Sequence, residues 1–222
     1  MAENRFFVDS PLIAGSVVRL DARESHHLRV MRSPEKVELI NGQGFLAQAH
    51  PVRDGLEILS VEKGVETHRV VLCQALPRMN RLDMIVEKGT EIGMRELWLF
   101  PGERSERETL SNHQRERVQH LMQAALKQCG RLYLPTIRWM TPLVDWERPS
   151  GQLLYGKTHG GSPFPLLQLP VYFFVGPEAG FSPAEEAHLM SWDAWGVTLN
   201  SATLRTDTAA LVALALIAAH IQ

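Results

Sequence analysis

The run from Val171 through Tyr172, Phe173 and Phe174 to Val175 constrains the fold more than any other stretch of this chain. Five apolar residues in a row leave no polar face for water, so a strand made of them must be covered on both sides, as in a parallel sheet flanked by helices. The run leads directly into Gly176-Pro-Glu-Ala-Gly180. Ser182, Pro183 and Glu185 then supply a cap, a first-position proline and a third-position glutamate, which start a helix. Strand, glycine loop and helix in that order form the repeating unit of open α/β sheets. Such sheets bind ligands where strands end and helices begin.

The same alternation begins near residue 69. Val70 to Leu76 reads as a strand, and Leu82 to Ile92 as a helix with Leu82, Ile85, Val86 and Ile92 near one side. Leu97 to Phe100 is the next strand. Ser111 and Gln114 have capping-box spacing, and Val118, Leu121, Met122, Ala125 and Leu126 form a helical stripe that ends before Gly130. Residues 135 to 170 are rich in proline and read as loops around short strands. After a strand at Val197 to Leu199, Thr206 and Asp207 open a last helix that is apolar on nearly every face. Such a helix must be buried, in part against a second subunit.

Residues 1 to 67 differ. Short runs at Arg5 to Val8, Ser16 to Leu20, Lys36 to Ile40, Phe45 to His50 and Leu56 to Val61 are punctuated by Asn41-Gly42 and Asp54-Gly55. They predict a small antiparallel barrel or sheet. One helix interrupts it, where Asp21 and Glu24 have capping-box spacing and Leu28 and Met31 give an apolar face. At 222 residues the chain is about one and a half typical domains. The expectation is a small domain at 1–67 and an α/β domain at 68–222.

Cys73 and Cys129 are too few for a disulfide scaffold and lack the paired spacing of a zinc site, which fits a reducing cytosol. The first residues carry charge and no apolar run, unlike a signal peptide. The longest apolar stretch, Ala209 to Ala219, is about half of a bilayer span. These features predict a soluble cytoplasmic protein without a metal site. Net charge is −2, but residues 68 to 149 carry 13 Lys/Arg against 10 Asp/Glu. Arg69, Arg78 and Arg81 follow one another without an acid between them, as do Lys127, Arg131 and Arg138. Arg23, Arg29 and Arg32, with His26 and His27, surround a single Glu24. Clusters of this kind can hold phosphates, and ordinary solvated arginines fit them equally well.

Two loops join a buried strand to a helix: Gly176-Pro-Glu-Ala-Gly-Phe181 and Asn200-Ser-Ala-Thr-Leu-Arg-Thr-Asp207. A glycine loop alone is more often a tight connection than a binding site, and these match neither the Walker loop nor the dinucleotide fingerprint. Together, however, Phe174 to Ser182 and Leu199 to Ala209 resemble the two signature loops of the RsmE family, ribosomal RNA methyltransferases of the SPOUT superfamily. Glu87 to Gly93 is similar to that family's helix ending in Glu-Leu-Gly, and Glu103-Arg104-Ser105 to its Glu-Arg-Ser loop. Gln128 to Arg131 with Pro135 is similar to its Gln-Ser/Cys-Gly-Arg segment. Arg5 to Val8 and His27 to Arg32 match the pattern of its amino-terminal domain. The resemblance runs along almost the whole chain, in order.

It implies a PUA-like β-barrel, RNA-binding, at 1–67, followed at 68–222 by a SPOUT α/β domain with a mostly parallel sheet and a carboxyl-terminal trefoil knot, a rare topology. The implied reaction is methyl transfer from S-adenosyl-L-methionine to N3 of a uridine in 16S rRNA near the decoding centre, by a homodimer joined through the last helix. The substrate would be the free rRNA or the assembled small ribosomal subunit. The cofactor site carries over to Gly176, Glu178, Gly180, Leu199, Asn200, Leu204 and Thr208. The chain departs from the family at Ala179 and Asn200, where glycine is usual, at Thr203, where an aliphatic residue is usual, and at Asp207, where glutamate is usual.

The N3 of uridine is a weakly acidic imide, so its attack on a sulfonium methyl needs the proton removed or the charge growing on O2 and O4 stabilised. Arg205 and Glu178 are the candidate catalytic residues. Arg205 is the electrostatic candidate, with a salt bridge to Glu178 or Asp207 as its structural alternative. A base could be Glu178, Glu91 or Asp207. Arg5, His27, Arg29, Arg32, Arg104 and Arg131 are the candidates for holding RNA. Two rival readings are an RNA-binding or assembly protein that keeps the fold without catalysis, and a SPOUT enzyme acting on another RNA. The oxyanion-loop pattern at His159 to Ser162 has no Gly-x-Ser-x-Gly elbow to serve, which sets a hydrolase aside.

Overall fold

The structure is a computed structural model and describes residues 4–31, 34–66 and 70–220. By its internal contacts the chain divides into two compact units, Met1–Thr67 with Met122–Leu134, and His68–Leu121 with Pro135–Gln222.

The first unit contains β1 (Arg5–Phe7), β2 (Val17–Val18), α1 (Ala22–Val30), β3 (Val37–Ile40), β4 (Phe45–Val52) and β5 (Gly55–Lys63). The strands form one sheet in the order β1-β3-β4-β5-β2. Alternating residues, among them Phe6, Leu39, Ala47, Ala49, Leu56 and Ile58, fill its core. The sheet is antiparallel except that β1 runs parallel to β3. Parallel pairing needs a long crossover, and here β2 and α1 lie between the two strands. Asp21 caps α1 by accepting from the Glu24 amide at 2.7 Å. The reciprocal half of the expected capping box is not made, because Glu24 is buried and ion-paired with Lys127.

Lys127 belongs to a segment that the sequence assigns to the second domain. Its packing is with the first unit: Leu126, Leu132 and Leu134 cluster with Phe7, Ile40 and Leu46. Leu134 N donates to Gly42 O, and Gly44 N to Leu132 O, both at 2.9 Å. A helical stripe shows which face is buried but not which body buries it, so the sequence reading assigned this segment by its position in the chain.

The second unit holds β6 (Val70–Ala75), α2 (Met79–Ile92), β7 (Glu96–Phe100), the first half of α3 (Asn112–Cys129), β8 (Thr136–Trp139), a 3-10 turn at Leu143–Asp145, β9 (Gln152–Gly156), β10 (Val171–Val175), α4 (Pro183–Ser191), β11 (Trp195–Val197) and α5 (Thr206–His220). Its six strands are all parallel, in the order β11-β9-β10-β6-β7-β8. The central β6 is buried at every residue, and β10 at all but Tyr172.

The helix starts follow the sequence closely. Ser182 and Glu185 close both halves of a capping box at α4, with Pro183 at the first position. Ser111 and Gln114 do the same at α3. On α2, Leu82, Ile85 and Val86 are buried, and Gly93 ends the helix at φ 109° in the left-handed region that glycine adopts freely. From the edge strand β11 the chain returns to the middle of the sheet, where α5 packs on α2, β6 and β10. No helix of the described residues is long and apolar enough to cross a membrane.

Candidate functional site

At the carboxyl ends of β9 and β10, the loop after β10 and the segment before α5 line one cavity of about 660 Å³. That size lies within the ordinary range for small-molecule sites. Its wall includes Gly176 to Phe181 from the first loop and Leu199, Asn200 and Ala202 to Thr206 from the second segment. Close approach favours glycine at 176, since a Cβ there would lie 3.0 Å from Phe181 N and 3.2 Å from Gly180 C. Gly180 has φ +75° and open space before its Cα. Both observations fit a loop bent tightly enough to turn its peptide groups toward a ligand.

The two segments are fastened together. Thr206 Oγ1 donates to Gly176 O at 2.8 Å, and fully buried Gln74 donates from Nε2 to Thr206 Oγ1 at 2.9 Å. Arg81 Nη1 donates to Asp207 Oδ1 at 2.9 Å, and Arg81 Nε lies 3.2 Å from Glu178 Oε1. Glu178 Oε1 also accepts from the backbone N–H of Arg78, at the start of α2. The carboxylates considered as partners for Arg205 are thus both taken by Arg81. Arg205 is exposed and lines the cavity, and its guanidinium makes no ion pair among the described residues.

The remaining charges of the wall are held. Lys157 Nζ pairs with Glu186 Oε1 at 3.0 Å, and that contact raises the Lys157 pKa. Tyr155 Oη also reaches Glu186, at 3.4 Å, while burial raises the tyrosine's pKa. Arg104 Nη1 donates to Phe181 O at 3.2 Å, so this arginine grips the glycine loop.

Of the residues expected at the cofactor, Gly176, Glu178, Gly180, Leu199, Asn200 and Leu204 line the cavity. Thr208 is exposed on α5 and does not. The expected strand at 197–199 ends at Val197, which leaves Leu199 to the cavity wall. Asn200 has no left-handed backbone; its Oδ1 accepts from Ala202 N at 2.9 Å, a side-chain turn that shapes the loop where glycine is usual. Glu91 lies outside the cavity lining and pairs with Lys88.

In the first unit, half-buried Arg5 donates to Glu38 Oε2 from Nε at 2.8 Å and from Nη2 at 2.6 Å. Its guanidinium serves the sheet. His27 is exposed beside Phe6, with ring centroids 5.2 Å apart, and Arg29 is exposed. Arg131 is half-buried, and burial lowers its pKa. Arg32 lies outside the described residues. No cluster of residues able to hold a metal ion occurs among the described residues.

The family model of the RNA methyltransferase domain matches residues 65–218. The chain belongs to that family. It is 27% identical to the ribosomal RNA small subunit methyltransferases E of Mycobacterium bovis and Mycobacterium tuberculosis, over 94% of this chain and 88% of each relative. The crystal structure of a ribosomal RNA small subunit methyltransferase E from Neisseria gonorrhoeae, bound to S-adenosyl methionine, matches with a TM-score of 0.85 and 25% identity over 96% of each chain.

For an RNA methyltransferase domain of this kind, sequence reading missed Arg81 and the turn from Tyr155 to His159, all of which line the cavity. Signals for both were present. Arg81 stands in an acid-free run of arginines, and Lys157 and Arg205 are the sole Lys or Arg residues from position 150 onward.

Proposed function

We propose that the chain transfers the methyl group of S-adenosyl-L-methionine to N3 of a uridine in small-subunit (16S) rRNA near the decoding centre. The observation that carries this reading is the cavity between the glycine loop and the 199–206 segment, with Arg205 on its wall and paired with no carboxylate among the described residues. The relatives' names as small-subunit rRNA methyltransferases support it, as does the cofactor in the Neisseria gonorrhoeae structure.

The residues present fit such a cofactor. The main chain at Gly176 and Gly180, both on the cavity wall, suits the polar edges of a nucleoside, and Val175, Leu199 and Leu204 suit its ring. The cofactor supplies an electrophilic methyl carried on a sulfonium. Arg205 stabilises the negative charge that grows on the uracil carbonyls as N3 passes its proton to water. Glu178 is committed to Arg81 and the Arg78 amide, so its part is to hold the glycine loop rather than to take the proton.

The base must leave its stack before N3 can meet the methyl. The first unit, in the PUA-like role at 1–67, holds the RNA through His27, Arg29 and Arg32, to which Arg131 adds a further cation; in the second unit Arg104, on the cavity wall, does the same. The return of α5 from edge strand to sheet centre fits a trefoil knot. On α5, Leu211, Val212 and Leu216 stay half-buried and Ala215 exposed, a surface suited to the same helix of a second copy in a homodimer. Acting on rRNA places the protein in the cytoplasm.

The test is calorimetry of the protein with S-adenosyl-L-methionine, paired with mass spectrometry of 16S rRNA nucleosides from cells lacking the protein. Cofactor binding and loss of one 3-methyluridine, restored by the gene, are expected. Binding of RNA without cofactor binding would instead identify a non-catalytic RNA-binding or assembly protein, and a mark lost from another RNA would redirect the substrate.

A further inference from the structure

We propose that Arg81 is a positioning residue: its guanidinium sets the spacing between the two loops that face the cofactor. This inference rests on the function proposed above. Arg81 sits in the first turn of α2, lines the cavity and is 17% exposed at its side chain. It meets Glu178, in the glycine loop, and Asp207, in the first turn of α5, at 3.2 and 2.9 Å. One cation thus lies between two carboxylates from different segments, and no other side-chain ion pair among the described residues joins those segments.

Without Arg81, the carboxylates of Glu178 and Asp207 would lose the cation they share, and repulsion would drive the two segments apart. The fold need not fail with them. Thr206, next to Asp207, remains tied to Gly176 O and to Gln74 by hydrogen bonds that do not depend on charge. Arg81 lines the cavity, so its loss falls on cofactor binding more than on stability. Lysine would be a poor substitute, because an ammonium lacks the planar fork that reaches two carboxylates at once.

The experiment measures cofactor Kd by calorimetry and kcat and KM by methyl transfer for the unaltered protein, Arg81→Met and Arg81→Lys, with thermal unfolding as the check on folding. Arg81→Met is expected to raise Kd and KM for S-adenosyl-L-methionine about tenfold or more, with kcat at saturating cofactor within about threefold of the unaltered protein, and Arg81→Lys to fall between. Asp207→Asn is expected to recover part of the affinity lost in Arg81→Met, since it removes one of the two facing charges. A folded Arg81→Met protein with unchanged Kd overturns the proposal, as does a loss confined to kcat. Should Arg81→Met fail to fold, Arg81→Lys carries the same comparison, and an unchanged Kd there overturns the proposal. An unaltered protein that binds no cofactor removes the functional reading itself, a different failure from either.

Discussion

Thr206 Oγ1 donates a 2.8 Å hydrogen bond to the carbonyl oxygen of Gly176, thirty positions earlier in the chain. The same oxygen accepts from Gln74 Nε2 at 2.9 Å, so one buried hydroxyl joins β6, the end of β10 and the start of α5. Thr206→Val keeps the shape and removes the hydroxyl, leaving the Gln74 amide and the Gly176 carbonyl each short of a partner. A loss of about 1–3 kcal/mol per unsatisfied buried group is expected, read by chemical denaturation. Thr206→Ser, which keeps the hydroxyl, should recover most of it.

Among the described residues, Arg205 is the cation on the cavity wall with no ion pair to a carboxylate and no hydrogen bond to the glycine loop, in contrast to Arg81, Lys157 and Arg104. Its charge is available to a substrate. Arg205→Ala is expected to leave cofactor affinity within about twofold while methyl transfer falls by roughly 100-fold or more, the usual result of removing one preorganised donor for developing charge. Single-turnover methylation with saturating cofactor checks this, and unchanged turnover removes Arg205 from the chemistry.

Much of this architecture is legible in the sequence because local physics decides it. The run at 171–175 is β10, and the Ser182 and Ser111 caps start α4 and α3 where the spacing places them. What escaped were partners far away in the chain. Glu24 has capping-box spacing but turns to Lys127, 103 positions later, and Arg81 reaches Asp207 across 126. Thr208 illustrates a different gap. The motif places it among the cofactor residues, yet two helical steps, about 200°, separate it from Thr206 on the cavity wall, and it stands exposed outside the lining.

The Glu24–Lys127 pair predicts a large stability effect. The two side chains are 7% and 16% exposed, so removing one partner leaves the other charge nearly buried. Lys127→Met is expected to destabilise the protein by about 3 kcal/mol, and the double change with Glu24→Gln to cost less than the sum of the single changes. Urea unfolding of the four proteins of the cycle provides the measurement.

Arg29 is exposed, and its Nε makes only a 3.3 Å contact to Ser25 O, so it is free to meet a phosphate. Arg29→Ala should weaken RNA binding and lower the slope of log affinity against log salt by about 0.7, the share of one phosphate contact on single-stranded RNA. Arg5→Ala should act otherwise. Its guanidinium is bound to Glu38, so loss of stability, rather than a change in salt slope, is the expected outcome.

Alkaline pH should reveal Cys73. Burial, and secondarily the charge of Glu96, push its thiol pKa well above 9.0 in the folded chain. The folded protein therefore keeps a proton that the unfolded chain releases. Stability from this group is complete below about pH 9 and declines as pH rises beyond it, by at most about 1.4 kcal/mol per unit. Lys157 and Tyr155, whose pKa values are also raised, act in the same direction near pH 10 and above. Denaturation curves between pH 8 and 11, compared with Cys73→Ala, isolate the thiol; a decline of equal slope in the variant would assign the effect to the other groups. The same burial predicts that Cys73 resists alkylation in the folded protein at pH 8, and rapid labelling there would show that β6 opens far more readily than its packing implies.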